Sequence, residues 1–71
     1  MTPTMEKFIE QNSQHKIVEG MRLTPEGNSV RTLDDMKRSN SIKYYFENGE
    51  SFTLSRDDIK SAPSYEPIWM L

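Results

Sequence analysis

Two runs of aromatic and aliphatic residues flank Asn48-Gly49, and this arrangement constrains the fold more than any other part of the chain. Asn-Gly between strand-like runs is the strongest short-range signal for a β-hairpin. A two-residue turn would place Glu47 directly opposite Glu50, and such a like-charge pair destabilises a sheet. A three-residue loop that ends with Gly49 in the left-handed conformation of a G1 bulge avoids that pairing. We therefore predict a bulged hairpin.

The bulged loop also sets the register of the two strands. It places Ile42 opposite Leu54 and Tyr44 opposite Phe52, so these apolar side chains share one side of the hairpin. Tyr45 then lies on the other side. The sequence thus predicts a sheet with one apolar side, which another element has to cover.

A short amphipathic helix is predicted over Thr4 to Asn12. Met5, Phe8 and Ile9 recur at the i, i+3, i+4 spacing of a helix face, with polar residues between them. An isolated helix of this length is only marginally stable in water. We therefore expect it to pack on the apolar side of the sheet.

The segment between this helix and the hairpin predicts two further strands. Alternating apolar residues from Ile17 to Leu23 indicate a strand, in which Gly20 marks a bulge or a close backbone approach. Thr24 to Gly27 suits a type I turn, because proline is favoured at its second position and glycine at its fourth. Ser29 to Leu33 would then return as the next strand.

Both predicted return strands lead into Asp-Asp, one apolar residue and Lys. In each case a hydroxyl residue precedes an acid by three positions, which is typical of a helix N-cap. We therefore predict a helical turn after each strand, each with a single apolar residue to attach it to the rest of the domain. The residues concerned are Thr32, Asp35 and Met36 in the first turn and Ser55, Asp58 and Ile59 in the second.

Together these elements predict one α+β domain, mostly β, over residues 1–71. Residues 1–14 form the helix and a linker, 15–60 form a two-hairpin sheet, and 61–71 form a segment punctuated by prolines. We expect a short helix packed on a twisted antiparallel sheet of four or five strands. The order of elements would also suit a small SH3-like or Sm-like barrel. The predicted core residues are Phe8, Ile9, Ile17, Met21, Leu23, Val30, Ile42, Tyr44, Phe46, Phe52, Leu54, Ile59 and Trp69.

Composition narrows the classes of function. Of 71 residues, 34% are hydrophobic and 28% are charged, so the core is thin and leaves little room for an enclosed substrate pocket. The absence of cysteine rules out disulfides, thiolate metal sites and thiol nucleophiles, and it suits a reducing cytosol. No apolar run approaches the length of a membrane span, and the N-terminus does not resemble a signal peptide. We expect a soluble cytoplasmic protein.

The titratable residues do not form a pattern typical of catalysis. Adjacent aspartates at positions 34–35 and 57–58 point in different directions on a helical turn, and near a helix start they interact favourably with its dipole. We interpret them as capping and surface residues rather than metal ligands. His15 has no recognisable orienting partner or nucleophile. We expect a non-enzymatic protein with no metal and no cofactor.

The C-terminal segment is the best candidate for a protein interface. Trp, Tyr and Met are enriched in the cores of interfaces, and one Trp anchor can dominate binding energy. Trp69 has two other interpretations: it fills the core of a chain poor in apolar residues, or it joins copies of the chain. The predicted partner-binding residues are Tyr45, Tyr65, Ile68, Trp69, Met70 and Leu71.

We rank first a non-catalytic protein-binding module, an accessory protein or inhibitor that occupies a surface of a larger partner. Small independent chains of this kind are common in phages and mobile elements. The alternative is a small-barrel nucleic-acid binder with an aromatic and basic stacking platform, although a net charge of -2 disfavours it. Its predicted residues are Arg31, Lys37, Arg38, Lys43 and Tyr45. A third hypothesis is a self-assembling subunit that pairs through exposed sheet edges.

Overall fold

The computed structural model describes residues 1–65, which adopt an α+β fold. Its elements in chain order are α1 (Pro3–Asn12), β1 (Ile17–Leu23), α2 (Leu33–Arg38), β2 (Ser41–Phe46), β3 (Ser51–Ser55), α3 (Arg56–Lys60) and a 3-10 turn (Pro63–Tyr65). The strands form one antiparallel sheet in the order β1-β2-β3. Among the helices of residues 1–65, none combines the length and apolar character needed to cross a bilayer.

The α+β class and the antiparallel sheet are confirmed, but the predicted number of strands and the prediction that the fold is mostly β are wrong. Residues 1–65 contain an open sheet of three strands rather than four or five. No pairing between β1 and β3 closes this sheet within the described residues, so the suggested SH3-like or Sm-like barrel is wrong as well.

The β2–β3 hairpin has the predicted register. Ile42 pairs with Leu54, and Tyr44 pairs with Phe52. Gly49 has a φ of 89°, so it adopts the left-handed conformation that the bulged loop requires. Local turn chemistry and side-chain patterning agree here, which is why the register could be read from the sequence.

The missing strand is the one predicted from Ser29 to Leu33. The turn before it forms, since the Gly27 N–H donates to the Thr24 C=O at 2.9 Å. Beyond that turn, the ladder with β1 is reduced to one isolated bridge between Leu23 and Ser29. The chain therefore leaves the sheet almost as soon as it returns to it.

An N-cap explains why this segment becomes helical so early. The Thr32 hydroxyl accepts a hydrogen bond from the Asp35 N–H at 3.0 Å, which satisfies one of the free donors at the start of α2. Leu33 is then the first residue of α2 rather than the last residue of a strand. A local hydrogen bond has replaced the longer-range pairing that a fourth strand would need.

A bulge decides which side of the sheet each β1 residue faces. The register shifts between Ile17 and Glu19, so Ile17 lies on the apolar side while later odd-numbered residues lie on the other. Met21 and Leu23 are therefore half-buried and outside the core, and the prediction that they join it is wrong. Alternation alone could not reveal this, because one extra residue reverses it.

Of the two alternatives predicted at Gly20, a bulge or a close approach to the backbone, the structure shows the close approach. Gly20 lies opposite Tyr44 in the sheet. A Cβ atom built on Gly20 would lie 2.8 Å from Cε1 of the Tyr44 ring, which is too close for carbon atoms that are not bonded. The ring therefore packs directly over the glycine backbone.

Helices α1 and α3 supply the core residues that pack against the apolar side of the sheet. Phe8 is at the centre, and its ring centroid lies 5.3 Å from that of Tyr44 and 5.6 Å from that of Phe46. Aromatic pairs at such distances stabilise a fold beyond the effect of burial alone. The buried apolar residues are Met5, Phe8, Ile42, Tyr44, Phe46, Leu54, Ile59 and Ala62, with Ile9, Ile17, Phe52 and Tyr65 partly buried around them.

The two Asp-Asp turns differ in their relation to the core. Both N-caps form as predicted, and the one at Ser55 is a complete capping box. Ile59 is 1% exposed and lies in the core, as predicted, whereas Met36, which the predicted core does not include, is 43% exposed and does not anchor α2. Val30 is half-buried outside the core, and Trp69 lies outside the described residues.

Hydrogen bonds around Asp58 join the two ends of the described chain. The Asp58 carboxylate accepts from the Thr2 hydroxyl at 2.5 Å and from the Ser55 N–H at 2.9 Å. Burial alone would raise the pKa of Asp58, but these hydrogen bonds outweigh burial and hold the pKa below its ordinary value. The carboxylate form of Asp58 therefore helps to hold α1 against α3.

Candidate functional site

The side of the sheet opposite α1 and α3 is the first candidate surface for a function, because neither of these helices covers it. Paired residues of an antiparallel sheet share a side, so the register assigns each side chain to one side. The buried strand residues all lie on the helix-covered side. We call the other side the open face; it comprises Glu19, Met21, Leu23, Ser41, Lys43, Tyr45, Ser51, Thr53 and Ser55.

Lys43 and Tyr45 occupy the middle strand of the open face. The Lys43 Nζ lies 5.1 Å from the centroid of the Tyr45 ring, within the range in which an ammonium group is attracted to an aromatic ring. Met21 flanks Lys43 on β1, and Thr53 flanks it on β3. Both Lys43 and Tyr45 are half-buried, so their neighbours orient them while part of each remains accessible.

A second polar cluster surrounds Arg38 at the end of α2. Its guanidinium lies 3.1 Å from carboxylate oxygens of Glu26 and Asp35, and 3.6 Å from one of Asp34. Hydrogen bonds from the Arg38 side chain and the Arg31 N–H hold the pKa of Asp35 below its ordinary value, and the Glu26 and Asp35 carboxylates raise the pKa of Arg38. Several acids thus surround this one cation at an exposed position, where such pairs contribute little to stability.

The residues predicted for nucleic-acid binding do not share one surface. Lys43 and Tyr45 are neighbours on the open face, whereas Arg38 is bound by the carboxylates around it. Arg31 and Lys37 are exposed; Arg31 lies just before α2, and Lys37 lies within it. The structure therefore brings one predicted cation to the predicted aromatic residue and leaves the others around α2.

The residues predicted for partner binding also separate. Tyr45 lies on the open face, but Tyr65 packs on the core, with its ring centroid 5.9 Å from that of Phe8. The four apolar residues of the C-terminus lie outside the described residues; they are Ile68, Trp69, Met70 and Leu71.

Sequence reasoning missed an exposed apolar pair on α2. Leu33 is 74% exposed and Met36 is 43% exposed, and their spacing of three residues places them on neighbouring positions of the helix surface. The signal was the predicted N-cap at Thr32, because a cap at this position makes Leu33 the first helical residue and ends the strand before it.

Neither a metal cluster nor a known relative adds to this description. Residues 1–65 contain no group of three or more His, Cys, Asp or Glu side chains that could hold a metal ion. No protein-family model, curated protein or solved structure matches the chain. The open face and the exposed apolar residues of α2 are therefore the features from which a function can be inferred.

Proposed function

We propose that this protein is a non-catalytic protein-binding module, an accessory protein or inhibitor that occupies a surface of a larger partner protein. The open face is its contact surface. We further propose that it acts in the cytoplasm, where a chain without cysteine is unaffected by reducing conditions. The observation that carries the proposal is that the core helices lie on one side of the sheet and leave Tyr45 and Met21 on the other.

The side chains of the open face have the mixture that protein interfaces use. Tyr and Met are enriched in interface cores, where charged residues are depleted. The face carries one cation, Lys43, and one acid, Glu19, among neutral residues. The ring of Tyr45 combines a large apolar area with a polar hydroxyl, so it can serve as an anchor for binding.

The exposed pair on α2 supports the same function. A side chain as exposed as Leu33, at 74%, gains free energy if a partner removes it from water. Ser39, just after α2, donates from its hydroxyl to the Leu23 C=O at 2.8 Å, which fixes the end of this helix beside the open face. We propose that Leu33 and Met36 lie at the rim of the contact.

Site-directed photocrosslinking in cells of the native source tests this proposal. A photoreactive phenylalanine analogue at Tyr45 should give an adduct with one larger protein, because position 45 projects from the open face. The same analogue at Glu10, exposed on α1, is the matched control and should give none. Met21→Ala should weaken binding of the captured partner. Equal adducts from both positions, or none from position 45, would contradict the proposal.

Single-stranded nucleic acid is the second candidate ligand. The contact between Lys43 and Tyr45 favours it, since a base can stack on an aromatic ring while a nearby cation meets the phosphate. The net charge of -2 and the pairing of Arg38 with carboxylates weaken this candidate. Binding of a labelled oligonucleotide that falls with salt and is lost in Lys43→Gln would replace the first proposal with this one.

A further inference from the structure

The outer edge of β3 has backbone groups with no partner in residues 1–65. The Phe46 N–H donates to the Glu50 C=O and the Arg56 N–H donates to the Asn40 C=O. In an antiparallel pair such bonds recur at every second residue, so the backbone N–H and C=O groups of the even-numbered β3 residues point toward β2. The N–H and C=O groups of Ser51 and Thr53 therefore point away from the sheet. These four groups make no hydrogen bond to any other residue within the described chain.

Within residues 1–65, this edge also lacks the charges, prolines and bulges that normally prevent strands from pairing between molecules. Natural edge strands are protected by charges, proline, bulges or a covering element. Residues Ser51–Ser55 contain neither a charge nor a proline. The opposite edge is protected, because β1 has a bulge after Ile17 and the Arg22 C=O accepts a hydrogen bond from the Val30 N–H at 3.1 Å.

We propose that the β3 edge binds a second copy of this chain. Two antiparallel β3 strands centred on Phe52 would form a continuous sheet in the order β1-β2-β3-β3-β2-β1. Each free N–H of Ser51 and Thr53 would donate to the C=O of the other residue in the second copy. This arrangement involves the strand edge rather than the open face, so it does not depend on the function proposed above.

The edge is chemically complementary to itself in this register. Ser51 lies opposite Thr53 of the second copy on the side of the open face, and hydroxyl side chains are favourable cross-strand neighbours. The Phe52 rings of the two copies meet on the helix-covered side. Phe52 is only partly buried within one chain, so a second ring would cover its remaining exposed area. No like charges face each other between the two β3 strands.

Sedimentation of the full-length chain over a range of concentrations tests the association. The contact is short, so we expect a dissociation constant between about 10 μM and 1 mM. Thr53→Pro removes an outward N–H without removing a bond to β2, and edge strands tolerate such a proline. It should weaken the dimer by at least about tenfold, whereas Thr53→Val, which keeps the N–H, should not.

A charge-swap pair keeps the test decisive even if the proline variant does not fold. Ser51→Lys with Thr53→Lys in one chain, and Ser51→Glu with Thr53→Glu in another, should each give monomers. Their mixture should give a heterodimer, because the register sets each lysine opposite a glutamate. Both side chains are exposed, so these changes leave the core intact.

Two kinds of result would overturn the proposal, one from sedimentation and one from amide exchange. One is a wild-type chain that remains monomeric up to about 1 mM, or a dimer that Thr53→Pro leaves unchanged. The other is slow amide exchange at Ser51 and Thr53 that does not vary with protein concentration, because the edge would then be covered within a single chain.

Discussion

Gly20→Ala should destabilise this protein, although its backbone conformation would accept alanine. The left-handed glycines are Gly27 and Gly49, so Gly20 has no such requirement. On backbone grounds alone, alanine would stabilise by about 0.4–1 kcal/mol, because it restricts the unfolded chain. However, the new Cβ would lie 2.8 Å from Cε1 and 3.0 Å from Cδ1 of the Tyr44 ring. Overpacking of this kind costs about 1–3 kcal/mol, so we expect a net loss of roughly 1–2 kcal/mol.

A double-mutant cycle separates these two effects. Tyr44→Val keeps a strand-forming side chain but removes both ring atoms that Gly20→Ala would contact. In that background Gly20→Ala should stabilise by about 0.4–1 kcal/mol, so the sign of its effect reverses. The free energy of unfolding of all four proteins can be measured by urea titration followed by circular dichroism.

The control is Gly27→Ala. Gly27 has a φ of 90°, and a Cβ at this position would have no atom within 4 Å of it. The cost of this substitution is therefore backbone strain of about 1–2 kcal/mol, which should be the same in both backgrounds. If Gly20→Ala had equal effects with and without the Tyr44 ring, the packing of that ring over the β1 backbone would be refuted.

Other substitutions test individual parts of the fold. Ile59→Ala should lower the free energy of unfolding by roughly 2–4 kcal/mol because Ile59 is buried, whereas Met36→Ala should change it by less than about 0.5 kcal/mol; equal losses in urea titration would contradict this. The pKa of Asp58 is lowered in the folded protein. Its contribution to the free energy of unfolding is therefore complete above the pKa of the unfolded chain, about 3.9, and is lost as pH falls through the folded pKa. Asp58→Asn should therefore flatten the acid side of a plot of melting temperature against pH, and an equal effect of Asp57→Asn would argue against the Asp58 network. Gly49→Val should destabilise by roughly 1–2 kcal/mol and Gly49→Asn by less, since Asn tolerates a left-handed backbone; calorimetry showing the reverse order would rule out the bulged loop.

Features defined by short-range interactions could be predicted from the sequence. The hairpin register follows from one turn and the alternation beside it, and the structure pairs Tyr44 with Phe52 as expected. The N-caps at Thr32 and Ser55 follow from a hydroxyl and a backbone N–H three residues apart. For the candidate site, the same register placed Tyr45 on the side away from the apolar stripe. The apolar stripe also indicated which side of the sheet another element would cover.

Features that depend on distant parts of the chain could not be predicted in the same way. The strand expected after Gly27 could form only if pairing with β1 outweighed the helix cap at Thr32. The exposed Leu33 is a consequence of that competition. Local patterns therefore could not reveal that the sheet would have three strands rather than four or five. Nor could they reveal that α2 would expose apolar side chains to solvent.

The local units of this protein follow from its sequence alone: the α1 helix, the bulged hairpin and the capped turns that begin at Thr32 and Ser55. The burial of Ile59 and the exposure of Met36, in almost identical local patterns, depend instead on the tertiary arrangement. A cap or a turn requires only atoms a few residues apart, whereas burial requires two distant surfaces to meet. In α3 the second surface is the core beneath the sheet, and in α2 the described chain leaves Met36 uncovered.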